Sequence, residues 1–120
     1  LFQRRDQDIL CDVPIPFDVA ILGGQIDVPT IHGQAKLKVP AGTESGRVFR
    51  LRGKGVPDVH GARHGDQHVR VFVEVPTKLS GSQKRTLQEL TATLSEANYP
   101  LSREMKKKAA AFYQRKESLT

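Results

Sequence analysis

The chain has 120 residues, of which 38% are hydrophobic and 27% charged, with 19 Lys and Arg against 13 Asp and Glu for a formal charge of +6. That is room for one domain with an appendage, and no apolar run approaches the roughly 20 residues that a membrane helix needs. The single cysteine, Cys11, excludes an intrachain disulfide and points to a reducing, cytoplasmic setting.

The chain opens Leu1-Phe2-Gln3-Arg4-Arg5, with no initiator Met and no signal-peptide pattern, as expected of a piece cut from a longer protein. Asp8 to Ile15 alternates, with Ile9, Cys11, Val13 and Ile15 on one face and Leu10, Asp12 and Pro14 on the other, which predicts a strand. Pro14 and Pro16 mark an edge strand or its end. Phe17 to Leu22 is a short apolar stretch closed by Gly23-Gly24. A single glycine-capped helical turn fits it, although six residues do not separate helix from strand. Gln25 to Ile31 alternates through Ile26 and Val28, and Gln34 to Val39 through Ala35, Leu37 and Val39, with His32-Gly33 between them. This predicts a half-buried hairpin. Arg47 to Arg52 is a short strand broken by Gly53-Lys54-Gly55, and residues 56–66 are a glycine-bearing loop. The most regular strand follows, with Val69, Val71, Val73 and Val75 on one face, ended by Pro76.

The period then changes. Leu87, Leu90, Leu94 and Ala97 recur at helical spacing after Ser80 or Ser82, and Asn98-Tyr99-Pro100 stops that helix. A second helix from Ser102 carries Met105, Ala109, Phe112 and Tyr113 on one stripe, with Lys106, Lys107 and Gln114 opposite. The reading is mainly β: a small two-layer antiparallel sandwich with a short helix at 1–78, then amphipathic helices at 79–120.

Most candidate constellations reduce to ordinary structure. His60, His64 and His68 have the spacing of ligands on a helix, but Gly61 and Gly65 lie between them and His68 opens a strand, so no metal site is expected. Gly53-Lys54-Gly55 lacks the spacer and the Ser/Thr of a phosphate loop and reads as a turn. Ser45 lies outside any nucleophile elbow. Cys11 shares a face with Ile9 and Val13 and reads as an inert buried thiol. No catalytic residue is expected. The segment from Arg103 to Thr120 holds six basic and two acidic residues. It reads as a solvated helix face, the alternative being a Lys-rich nucleic-acid-binding arm, against which the scarcity of aromatics (6%) counts.

Several segments, in order, carry a family pattern. They are Ile21-Leu22-Gly23-Gly24-Gln25-Ile26-Asp27-Val28-Pro29-Thr30, Lys36-Leu37-Lys38-Val39-Pro40-Ala41-Gly42-Thr43, Arg50-Leu51-Arg52-Gly53-Lys54-Gly55-Val56-Pro57, Gly65-Asp66 and Val73-Glu74-Val75-Pro76. From about Asp8 to Leu90 the chain resembles the second C-terminal β-domain of the DnaJ co-chaperones, and the remainder matches their dimerisation segment in general character. Ile21, Ile31-His32-Gly33 and Gln67 depart from the usual alanine, leucine-acid-glycine and leucine. The family's His-Pro-Asp tripeptide and Cys-x-x-Cys-x-Gly-x-Gly zinc repeats do not occur in these 120 residues. The resemblance therefore implies no zinc or other cofactor here, and a DnaK-type partner engaged only through a J-domain outside this sequence. It implies unfolded protein clients, with Leu10, Ile26 and Val28 near a groove between Asp8–Ile15 and Gln25–Ile31. It also implies a homodimer, for which the stripe of Met105, Ala109, Phe112 and Tyr113 is the expected contact because Met and aromatic residues are enriched at interface cores. The plain alternative is packing within the chain. The stripe is short for a membrane-surface helix, and no membrane association is expected.

Overall fold

The computed structural model describes residues 1–58 and 63–118. They divide into two compact units, Leu1–Thr77 and Lys78–Thr120. The first unit contains β1 (Phe2–Arg5), β2 (Asp8–Pro16), α1 (Phe17–Leu22), β3 (Gly24–Thr30), β4 (Gly33–Val39), β5 (Val48–Leu51) and β6 (Gln67–Glu74). The second holds α2 (Gly81–Ala92), a 3-10 turn at Glu96–Asn98, and α3 (Pro100–Ser118).

Four strands form one sheet in the order β1-β2-β6-β5, and β3 and β4 form a separate hairpin. The fold is mainly β with short helices, as expected. Three ladders are antiparallel, but the central one, β2 on β6, runs parallel, with Cys11 opposite Val69, Val13 opposite Val71 and Ile15 opposite Val73. A parallel pair needs a long crossover, and α1, the hairpin and β5 supply it. The structure departs from the sequence pattern in four places. β6 ends at Glu74, which leaves Val75 75% exposed, and α2 ends at Ala92, short of Leu94 and Ala97. β1 has no apolar alternation, and α3 begins at Pro100, two residues before Ser102. Proline suits a first helical turn because its missing N–H would have no partner there.

The prolines of β2 have a local reason. β1 pairs only with Asp8 to Cys11, so Pro14 and Pro16 lie where β2 has β6 as its one neighbour and a ladder donor can be spared. The alternation of β2 and β6 turns Ile9, Cys11, Val13, Ile15, Val69 and Val71 inward. Val28, Leu37 and Val39 of the hairpin and Ala20 of α1 complete that core. Burial pushes the Cys11 thiol up, with the Asp12 carboxylate adding to it, which favours the uncharged form. Gln67, also fully buried, donates from Nε2 to the Pro29 carbonyl at 2.8 Å and so ties the sheet to the hairpin.

Two glycines shape the ends of these elements. Gly23 closes α1 at φ +82, and a Cβ there would sit 2.9 Å from the Ala41 amide nitrogen. Gly65 has ordinary φ but no room, because its missing Cβ would overlap the Gln7 carbonyl. Ser80 caps α2, accepting from the Gln83 amide at 3.1 Å while Gln83 Oε1 accepts from the Ser80 amide at 2.8 Å.

Candidate functional site

The same register that fills the core assigns the opposite face of the four-stranded sheet. Leu10 lies beside His68, Asp12 beside Arg70 and Pro14 beside Phe72, while Val48 and Arg50 of β5 face Arg70 and His68. A shallow groove on this face is lined by Arg5, Asp8, Leu10, Val48, His68 and Arg70. Apart from the exposed Arg5, its charges are paired. Arg70 holds Asp12 through two hydrogen bonds, Nε to Oδ1 at 2.9 Å and Nη2 to Oδ2 at 3.1 Å, the fork geometry that fixes both side chains. The same guanidinium stands 5.4 Å from the Phe72 ring centroid. His68 Nε2 lies 3.3 Å from Asp8 Oδ2. The rest of this face is apolar: Val48 and Phe72 are exposed and Leu10 is half-buried. This surface offers contact, not bond chemistry, since it carries no nucleophile beside a base.

The loop beyond β5 is bolted to this face by two carboxylates. Asp8 Oδ1 accepts from the Asp66 amide at 2.7 Å, and Asp66 accepts from the Gly53 amide at 2.9 Å and from Arg50 Nε at 2.7 Å. The Asp66 amide, with His68 behind it, holds the Asp8 carboxyl below the usual aspartate range. The Gly53 amide and then Arg50 do the same for Asp66. A carboxyl lowered by folding stabilises the fold fully above its unfolded value of about 3.9, and that contribution is lost as the pH falls through the lower folded value. The urea midpoint of the chain is therefore expected to drop as the pH is taken below about 4, and less steeply in Asp8→Asn. Identical pH profiles for the two proteins would remove this role from Asp8.

The expected client residues do not form one surface. Leu10 lies on the outer face, Val28 is 0% exposed within the core, and Ile26 is half-buried against that core. Val48 and Phe72, which the groove and its rim do present, were legible only as members of short strands. Of the three spaced histidines, His60 lies outside the described residues. His64 stands beside His32 instead of His68, their ring centroids 5.3 Å apart.

In the second unit the expected stripe is on the surface. Met105 is 65% exposed, Phe112 61% and Tyr113 62%, while Ala109 is half-buried. Leu101, 73% exposed, extends the stripe by one turn. The Phe112 and Tyr113 rings meet edge to face at 5.5 Å, and Lys106 anchors the start of α3 to Glu96 at 2.7 Å. Among the described residues no helix is long and apolar enough to cross a membrane.

Comparison with known proteins agrees with this architecture. Residues 1–76 match the model of the DnaJ C terminal domain. The chain is 48% identical over 113 residues to the chaperone protein DnaJ of Opitutus terrae, covering 94% of this chain and 30% of that protein. It is 56% identical over 88 residues to the DnaJ of a Geobacillus species, covering 73% and 23% respectively, and 53% identical over 95 residues to that of Listeria welshimeri, covering 79% and 25%. The chain thus spans less than a third of the length of these relatives, all of which are named as chaperones, not enzymes. With its parallel β2–β6 centre, separate hairpin and trailing helices, the chain belongs to the DnaJ C-terminal domain family, as a C-terminal region of a DnaJ-type chaperone.

Proposed function

We propose that this region holds unfolded protein segments on its β-unit and joins a second copy through α3, so that two weak binding surfaces act together. The observation that carries the reading is the ridge of Leu101, Met105, Phe112 and Tyr113, all more than half exposed. A 19-residue helix with such a stripe covers it by association, and Met and aromatic residues are the types enriched at interface centres. Coupling two surfaces raises avidity through effective concentration without any new contact. On the β-unit, Leu10, Val48 and Phe72 supply apolar contact inside a frame of paired charges, the arrangement suited to segments of varied sequence. The DnaK-type partner is engaged through parts of the longer protein outside this sequence.

Light scattering on the full chain and on a version ending at Asn98, each also assayed for suppressing aggregation of a denatured protein, tests both halves of the proposal. The full chain is expected at twice its 13.3 kDa mass, with the shorter version monomeric and severalfold weaker in suppression. A monomeric full chain overturns the pairing, and a dimer that survives the truncation moves the interface off α3.

A further inference from the structure

The fold brings together two histidines that are 32 positions apart in the chain. His32 sits at the tip of the β3–β4 hairpin, where its amide donates to Thr30 Oγ1 at 3.0 Å. His64 lies on the return leg of the loop between β5 and β6, where it forms a β-bridge with Pro57. That leg is held by the Gly65 amide on the Val56 carbonyl at 2.9 Å and by the Gly55 amide on the Gly65 carbonyl at 2.8 Å. The two rings are inclined at 77° with centroids 5.3 Å apart.

We propose that His32 and His64 form a binding site for a borderline-soft divalent cation of the zinc and nickel type, which pins the hairpin tip to the loop. Three observations support it. The first is spacing. With metal–nitrogen bonds of about 2.0–2.1 Å and a tetrahedral angle, two imidazoles on one ion place their centroids about 5.2 Å apart, close to the separation found. The second is the tautomer of His32. Its Nε2 lies 3.0 Å from the Gly55 carbonyl oxygen, and a carbonyl only accepts, so Nε2 donates and Nδ1 is the nitrogen that carries the lone pair in the neutral ring. Ligating histidines regularly donate their second nitrogen to a carbonyl in this way, which orients the ring. The third is access, since both side chains are exposed. Among the described residues no third His, Cys, Asp or Glu completes a cluster. The site is therefore expected to be weaker than a structural zinc site. It is independent of the chaperone reading.

Calorimetric titration of the full chain with ZnCl2 and NiCl2, with MgCl2 as the hard-cation control, tests the site. Zn2+ and Ni2+ are expected to bind, each weakened at least about 10-fold by His32→Ala or His64→Ala and unchanged by His68→Ala, with no Mg2+ binding at the same concentration. On the unaltered protein, Zn2+ is expected to shift the 15N resonance of His32 Nδ1 and to raise Tm, as any ligand specific to the folded state does. Equal Zn2+ affinity in native, His32→Ala and His64→Ala proteins overturns the proposal. So does an Nδ1 resonance of His32 that Zn2+ leaves in place, or Mg2+ binding as tight as Zn2+.

Discussion

Gly65→Ala is expected to lower unfolding stability by about 3 kcal/mol, the upper range for a group forced into space already filled. The added Cβ would overlap the carbonyl of Gln7 and approach Asp8 Oδ1 at 2.9 Å. Neither can move freely. The Gln7 carbonyl accepts from the Val56 amide at 2.8 Å, and Asp8 Oδ1 accepts from the Asp66 amide. Relief would push the loop away from the β1–β2 turn and loosen both the carboxylate bolts and the seat of His64. Gly81→Ala is the matched control. No atom lies within 4 Å of its Cβ position, so the change should stay within about 1 kcal/mol and favour the helix. Urea unfolding followed by circular dichroism separates the two. Equal midpoints would mean that the close approach at Gly65 is not what requires glycine there.

Ile15→Ala should cost about 3–4 kcal/mol, because the side chain is fully buried and its removal leaves a cavity as well as lost transfer energy. Ile15 stands opposite Val73 in the parallel ladder and within the same cluster as Ala20, Val28 and Val39, so the cavity would open where sheet, hairpin and α1 meet. Ile21, six positions on, is 60% exposed, and Ile21→Ala should change stability by no more than about 0.5 kcal/mol. A loss below 1 kcal/mol at Ile15 would show that the two layers close over the gap.

The contrast between Ile15 and Ile21 shows what could be read from sequence. Period-2 alternation named the inward residues of β2 and Val69, Val71 and Val73 of β6, because a half-buried strand leaves no other arrangement of its apolar residues, and it overran only at Val75, which lies past the strand and is 75% exposed. The helical period located α2 and α3, but it ran past the end of α2 at Ala92 to Leu94 and Ala97. Strand direction was not, since alternation is blind to whether a neighbour runs parallel or antiparallel, and the β2–β6 pairing depends on a crossover that only the assembled chain defines. β1 was invisible because Phe2-Gln3-Arg4-Arg5 buries no residue and takes its strand character from pairing with Asp8 to Cys11.

The candidate surfaces divide along the same line. Leu10 and the α3 stripe followed from local period. The groove needed the β5–β6 register, which sets Val48 beside Arg70 across an intervening loop. Val28 shows the reverse limit: its position in an alternating strand is the same whether that face meets a ligand or the core. The histidines show a third case. Spacing along the chain suggested His60, His64 and His68, whereas the hairpin tip delivers His32 from another element altogether. Linear spacing identifies ligand sets on a helix and does not in loops.

The claim on which the account rests most is that the α3 ridge is covered by a second copy of the chain. Sedimentation equilibrium of the native chain and of Phe112→Ala measures it directly. The native chain is expected to dimerise and the variant to associate about 5–150-fold more weakly, equivalent to about 1–3 kcal/mol for an aromatic side chain central to a contact. A native chain that stays monomeric at every concentration, or a variant with an unchanged dissociation constant, would contradict it.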